Sequence, residues 1–139
     1  MDSLVFEISD ADAPLNFHEK RMQQILETES QQSLHKTTKI IALKKGDLTL
    51  GSAQVSMSFN YLLLESIWIE PSEQKSGFGV RLYNEIEAFA KQQHCQKILL
   101  NTFDFLHALP FWQRMGFQQV GVVENCPVGH RLIYLEKTL

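Results

Sequence analysis

Gly77 and Gly79 stand two residues apart in EQKSGFGVRL, between the apolar run Leu62–Ile69 and a stretch with helical spacing. Residues without Cβ atoms at a helix entrance let the first amides of that helix, which have no internal partner, approach an anion closely. The turn is therefore a phosphate cradle, or simply a tight turn with one glycine at positive φ. A second chemical signal is Glu65, the only acid inside the apolar run. Read as a regular strand, that run places Glu65 on one face with Ile67 and Ile69, where a carboxylate is a candidate general base. The competing reading is a carboxylate that faces water or an ion-pair partner.

These residues need elements to position them. LVFEI, residues 4–8, reads as a short strand, followed by Asp10 or Asp12 as a cap and Pro14 as an early residue of a first helix. Leu15, Met22, Ile25 and Leu26 form the apolar stripe of that helix, and the polar composition from Thr28 to Lys39 implies a loop or a marginal second helix. Lys39–Lys44 and Leu48–Ser58 read as strands joined by a turn at Lys45, Gly46 and Asp47, with Leu62–Ile69 as the third strand of a meander that Pro71 ends. From Gly79 to His94 the period becomes helical, with Leu82, Ile86 and Phe89 on one stripe. Lys97–Phe103 is a strand, His107–Met115 a short helix capped by Gly116, and Phe117–Val123 and Arg131–Glu136 two closing strands. The expectation is a mixed α+β (α/β) domain, with a central mixed sheet of six to seven strands flanked by about four helices on both faces.

Composition narrows the function. The 139 residues are 44% hydrophobic and 21% charged with a net charge of −3, which fits one globular domain. The basic residues are scattered, so no nucleic-acid partner is expected and a small-molecule partner is more natural. Cys95 and Cys126 form no CxxC pair and no histidine stands in ligand spacing, so neither a metal site nor a disulfide framework is expected. No signal sequence or membrane span is read, and a soluble, cytoplasmic chain is the expectation.

Two phosphate motifs are excluded: GxxxxGK[ST] is absent, and GxGxxG would need a glycine where Leu82 stands. What remains is Q/R-x-x-G-x-G/A, met by Gln74, Lys75, Ser76, Gly77, Phe78 and Gly79. With this turn, the segments LESIWIEPSEQKSGFGVRLYNEIEAFAKQQHCQKILLNTFDF, ALPFWQRMGF and PVGHRLIYLEKTL resemble the GNAT superfamily of acyl-CoA N-acyltransferases, specifically a small bacterial single-domain subgroup. The resemblance covers roughly the C-terminal half to three fifths of the chain, and the first 40 residues carry no such motif.

The resemblance implies that the amides from Lys75 to Val80 hold the pyrophosphate of acetyl-CoA; Lys75 and Arg81 are candidates to add charge there, with a solvated surface role as the default reading. It implies that Ile67, Trp68 and Ile69 splay away from Lys97–Phe103 and meet the pantetheine arm, and it puts Phe111 on the cofactor side. Glu65 would be the base, since an amine of pKa ~10.4 is neutral in only about one molecule per thousand near neutral pH. A backbone amide at Trp68 or Ile69 would stabilise the oxyanion. The family commonly has a tyrosine acid in A-x-x-F-Y-x-x-x-G-F, where this chain has Trp112. An indole can donate a hydrogen bond to the departing sulfur but cannot deliver a proton as a phenol does. His107 is one replacement, with a capping or surface role as the alternative; His130 is a weaker one, in a Pro127, Val128, Gly129, His130 turn that resembles the subgroup's closing loop bordering the acceptor site, and Asp104 reads as a helix cap. The expected activity is acetyl transfer to a primary amine of a small molecule or peptide by direct attack in a ternary complex. The alternative is a non-catalytic acyl-CoA-binding module. The resemblance further implies that the acceptor lies against the first helix and following loop, and that a homodimer would form through the C-terminal strands.

Overall fold

A computed structural model describes residues 3–11, 13–73 and 76–139. Contacts divide the chain into two compact units that meet in sequence between Leu34 and His35.

The first unit contains helix α1, Ala13–Ser30. It ends where Gln31 takes a left-handed φ of 57° and its amide reaches the Glu27 carbonyl at 2.9 Å, a closure that satisfies an otherwise orphaned helix carbonyl. The Gln23 side chain braces this end by donating to Glu27 Oε1 and to the Leu34 carbonyl. The strand expected at Leu4–Ile8 does not form. Leu4, Phe6 and Ile8 are almost fully exposed, and no described strand pairs with the segment. A short apolar run becomes a strand only where a neighbour satisfies its backbone. Of the two residues read as caps, Asp12 lies outside the described residues.

The second unit is built on six strands: β1 Thr37–Lys45, β2 Leu48–Ser58, β3 Tyr61–Ile69, β4 Lys97–Phe103, β5 Gln118–Glu124 and β6 Arg131–Thr138. Their order is β1-β2-β3-β4-β6-β5, antiparallel except where β3 meets β4. The parallel pair requires a crossover, which helix α2, Phe78–Gln92, provides. Helix α3, Leu109–Arg114, lies between β4 and β5, and two 3₁₀ turns cover Pro71–Glu73 and Asp104–Leu106. Among the described residues three α-helices stand where about four are expected, because the polar segment after α1 stays irregular.

Leu82, Tyr83, Ile86 and Ala90 of α2 are buried on one stripe. They share a core with Ala53, Val55 and Met57 of β2, Leu62 and Leu64 of β3, and Ile98 and Leu100 of β4. Full burial of a side chain such as Leu62 contributes about 1.5–3 kcal/mol. A polar clasp joins three elements at the edge of this core. Lys137 of β6 pairs with Glu87 of α2 and donates to the Met115 carbonyl after α3 at 2.7 Å. Burial, and then the Glu87 charge, push the neighbouring Tyr83 phenol well above its ordinary range. Among the described residues no helix is long and apolar enough to cross a membrane.

Candidate active site

The parallel pairing of β3 and β4 runs from Tyr61↔Lys97 only as far as Leu64↔Leu100. Beyond that rung β3 stays paired to β2 as far as Ile69, and β4 stays paired to β6 as far as Phe103. The two strands therefore open into a V with its apex at Leu64 and Leu100. The Glu70 amide donates to the Leu50 carbonyl at 2.7 Å. Backbone groups alternate between the two edges of a strand, so Trp68 turns its backbone to β2 while Ile67 and Ile69 turn theirs toward the β4 arm. Of the two oxyanion amides expected, Trp68 is thus directed away from the cleft. The close contact of β2 with β3 depends on Gly51, where a Cβ would stand 2.6 Å from Ile69 Cδ1 and 2.7 Å from the Trp68 carbonyl oxygen.

At the apex the register slips. Gln54 pairs with Ser66 but Val55 pairs with Leu64, which leaves Glu65 as an extra residue in β3. Such a bulge breaks the two-residue alternation. Leu62 and Leu64 before it, and Ile67 and Ile69 after it, all turn to the α2 core. Glu65 does not share their face, contrary to the regular-strand reading. Its carboxylate lies on the opposite face and accepts from Gln54 Nε2 and, at 3.0 Å, from Ser56 Oγ. Glu65 itself remains exposed.

The glycine turn leads into α2. Gly77 is its N-cap, with φ 77° and ψ 8°, a left-handed conformation that costs an L-residue roughly 1–2 kcal/mol. The first intrahelical bond runs from the Arg81 amide to the Gly77 carbonyl at 3.2 Å, so the amides of Phe78, Gly79 and Val80 precede any α-helical partner. A Cβ on Gly79 would lie 3.5 Å from Phe111 Cε2, so α3 packs its phenyl edge directly on this turn. The Arg81 guanidinium sits 5.8 Å above the Phe78 ring, which keeps a positive charge beside the helix entrance. Ser76 donates its hydroxyl to Glu73 at 3.3 Å. Gln74 and Lys75 lie outside the described residues.

At the other end of the cleft the aromatic residues separate by role. Trp112 is 4% exposed and stands edge-on to Tyr83, Phe111 and Phe117 at centroid distances of 5.9, 4.9 and 5.4 Å. It is a core residue that holds Phe111 against Gly79. His107 is exposed and closes the 3₁₀ turn in a left-handed conformation, with its amide on the Asp104 carbonyl. Asp104 does not cap α3, whose N-cap is Ala108. Instead Asp104 Oδ1 meets His130 Nδ1 at 3.0 Å. Desolvation acts to raise the Asp104 carboxyl, but the Arg131 amide, the His130 ring and the Phe105 amide outweigh it and hold the group below the usual carboxylate range. The composition-based reading missed Gly51, Gln54, Ser56 and the Asp104–His130 pair. The bulge did leave a trace, because the core-facing apolar positions step from 64 to 67 across Glu65.

The chain matches the acetyltransferase (GNAT) family over residues 4–117. It belongs to that family. The match takes in residues 4–40, a stretch with no recognisable motif of its own. The GNAT chain is 36% identical over 62 residues to the uncharacterised protein YdhI of Bacillus subtilis, a match spanning 44% of this chain and 39% of that relative's length. Its fold is similar to an acetyltransferase from Bacillus cereus, with a TM-score of 0.74, 26% identity and 96% of this chain and 98% of the other covered. An aminoglycoside 6'-N-acetyltransferase solved with coenzyme A has the same fold, with a TM-score of 0.66, 18% identity and coverage of 91% and 83%.

Proposed function

We propose that this protein moves an acetyl group from acetyl-CoA to a primary amine of a small molecule or peptide, by direct attack in a ternary complex. The observation that carries this reading is the conjunction of a strand pair parted after Leu64↔Leu100 and a left-handed glycine opening α2. The parted strands leave backbone groups of Ile67 directed into the cleft, suited to an extended amide-bearing chain such as pantetheine. The amides of Phe78 to Val80, with Arg81 beside them, suit a pyrophosphate. Coenzyme A offers both groups, and the aminoglycoside enzyme with this fold was solved in complex with it.

Glu65 takes the proton from the attacking amine. Gln54 and Ser56 fix its carboxylate through one hydrogen bond to each oxygen, and each oxygen keeps a second lone-pair direction for the amine. The Ile67 amide, two residues past the bulge, stabilises the developing oxyanion. A thiolate of pKa ~8.5 departs without a dedicated side-chain acid, which accords with Trp112 serving the core.

The test offers acetyl-CoA and a panel of primary amines to the purified protein and follows thiol release. Release with at least one amine, together with a rise in Tm on adding acetyl-CoA alone, is expected. A Tm rise without release across a broad panel favours an acyl-CoA-binding module, and absence of both effects overturns the reading.

A further inference from the structure

Glu65 shares one face of the sheet with a set of side chains on β4 and β6. On β4 the buried residues Ile98, Leu100 and Thr102 define the core face, so Asn101 and Phe103 point to the other side, as Glu65 does. On β6, Tyr134 pairs with Asn101, points the same way and is 40% exposed. Phe103 stacks on Phe105 at 5.0 Å with an interplanar angle of 9°, and Phe105 meets the His130 ring edge-on at 4.8 Å. His130 ends this set, held by Asp104.

The chemistry of that end is specific. In the tautomer that carries its proton on Nδ1, His130 donates that N–H to the Asp104 carboxylate and leaves the Nε2 lone pair to accept from a ligand. Asp104 supplies negative charge and the stacked phenyl rings supply π faces, a combination that attracts a cation. The nearby Arg131 guanidinium does not oppose this, because Glu124 pairs with it at 3.1 Å. His107 is the other titratable group of the 3₁₀ turn, and Asn125 holds the loop through the Gly129 amide at 2.8 Å. Asp104 stands four residues beyond Leu100, which at ~3.3 Å per residue is about 13 Å from the apex. That is too far to touch the reacting carbon and suits the distal end of an acceptor.

We propose that Asp104, His130 and the Phe103–Phe105 stack form an acceptor subsite for a second protonated amine, so that the preferred acceptors are elongated diamines or polyamines. This rests on the acetyl-transfer reading, which puts the reacting nitrogen at Glu65.

The experiment compares α,ω-diamines of increasing length with monoamines of the same carbon count, by thiol release and by calorimetric titration of the amine into protein saturated with coenzyme A. Long diamines are expected to show a KM about tenfold below that of matched monoamines, with short diamines showing no such advantage. Asp104→Asn and His130→Phe are each expected to remove the advantage by raising the diamine KM, while the Tm rise given by acetyl-CoA persists. Equal KM values for long diamines and monoamines overturn the subsite, as does an advantage that survives both substitutions. If no amine releases thiol, the acetyl-transfer reading fails separately. Calorimetry then decides the subsite: binding of long diamines that Asp104→Asn abolishes supports it, and the absence of binding overturns it.

Discussion

Leu64 and Leu100 form the last rung between β3 and β4, and the extra residue that ends their pairing is Glu65. The same register slip parts the strands and puts a carboxylate at the point of parting. The opening and the proposed base are thus one structural event.

Glu65→Gln keeps the size of the side chain and its contacts with Gln54 and Ser56 but removes the base. A fall in kcat of about 10²- to 10⁴-fold at neutral pH is expected, with the dissociation constant for acetyl-CoA little changed. Full kcat in this variant ends the assignment.

At Gly77 a β-branched residue meets the left-handed φ of 77°. Nothing lies within 4 Å of the added Cβ, so the cost is backbone strain of roughly 1–2 kcal/mol and not a clash. Gly77→Val is expected to fold and to bind acetyl-CoA more weakly, measured by titration. Unchanged affinity counts against the cradle.

Gly51→Ala brings a methyl group against the Trp68 carbonyl and Ile69. Backbone must shift to relieve it, and a loss of about 1–3 kcal/mol in urea unfolding is expected. The β3 arm moves with Ile69, so acetyl-CoA affinity should fall in the same variant. A variant as stable as the parent would show that the two strands separate freely here.

For Trp112 two substitutions separate packing from chemistry. Trp112→Ala should lose about 3–5 kcal/mol, whereas Trp112→Phe keeps most of the edge-on contacts and should retain kcat within about tenfold. A folded Trp112→Phe protein with much lower kcat would return the indole to the list of groups that assist the departing sulfur.

The Asp104 carboxyl lies below its ordinary value when folded. Such a group stabilises the fold fully above its unfolded pKa and loses that contribution as pH falls through the folded value. The stability difference between the parent and Asp104→Asn should therefore be constant at neutral pH and shrink as pH drops below about 4. A difference independent of pH down to about 2 contradicts the pairing.

Some of this was legible one residue at a time. The limits of β2 and β4 coincide with the apolar runs Leu48–Ser58 and Lys97–Phe103, because a strand inside a sheet must be apolar wherever it meets the core. The stripe Leu82, Ile86 and Phe89 likewise marks α2, and all three pack into the core. Leu4–Ile8 misleads because no described strand pairs with the same apolar pattern, and pairing is not a property of five residues. Asp104 reads as a cap from its place before a helix, yet its partner is His130, 26 residues further on.

The sequence by itself determined the family, the order of the elements from β2 to β6 and the glycine turn, since each depends on contiguous residues and local backbone preference. Only the tertiary structure decided which face Glu65 occupies, which backbone groups of β3 enter the cleft, that Trp112 belongs to the core, and that Asp104 meets His130. Those depend on register and on contacts between distant segments, and a single extra residue in one strand is enough to reverse a face.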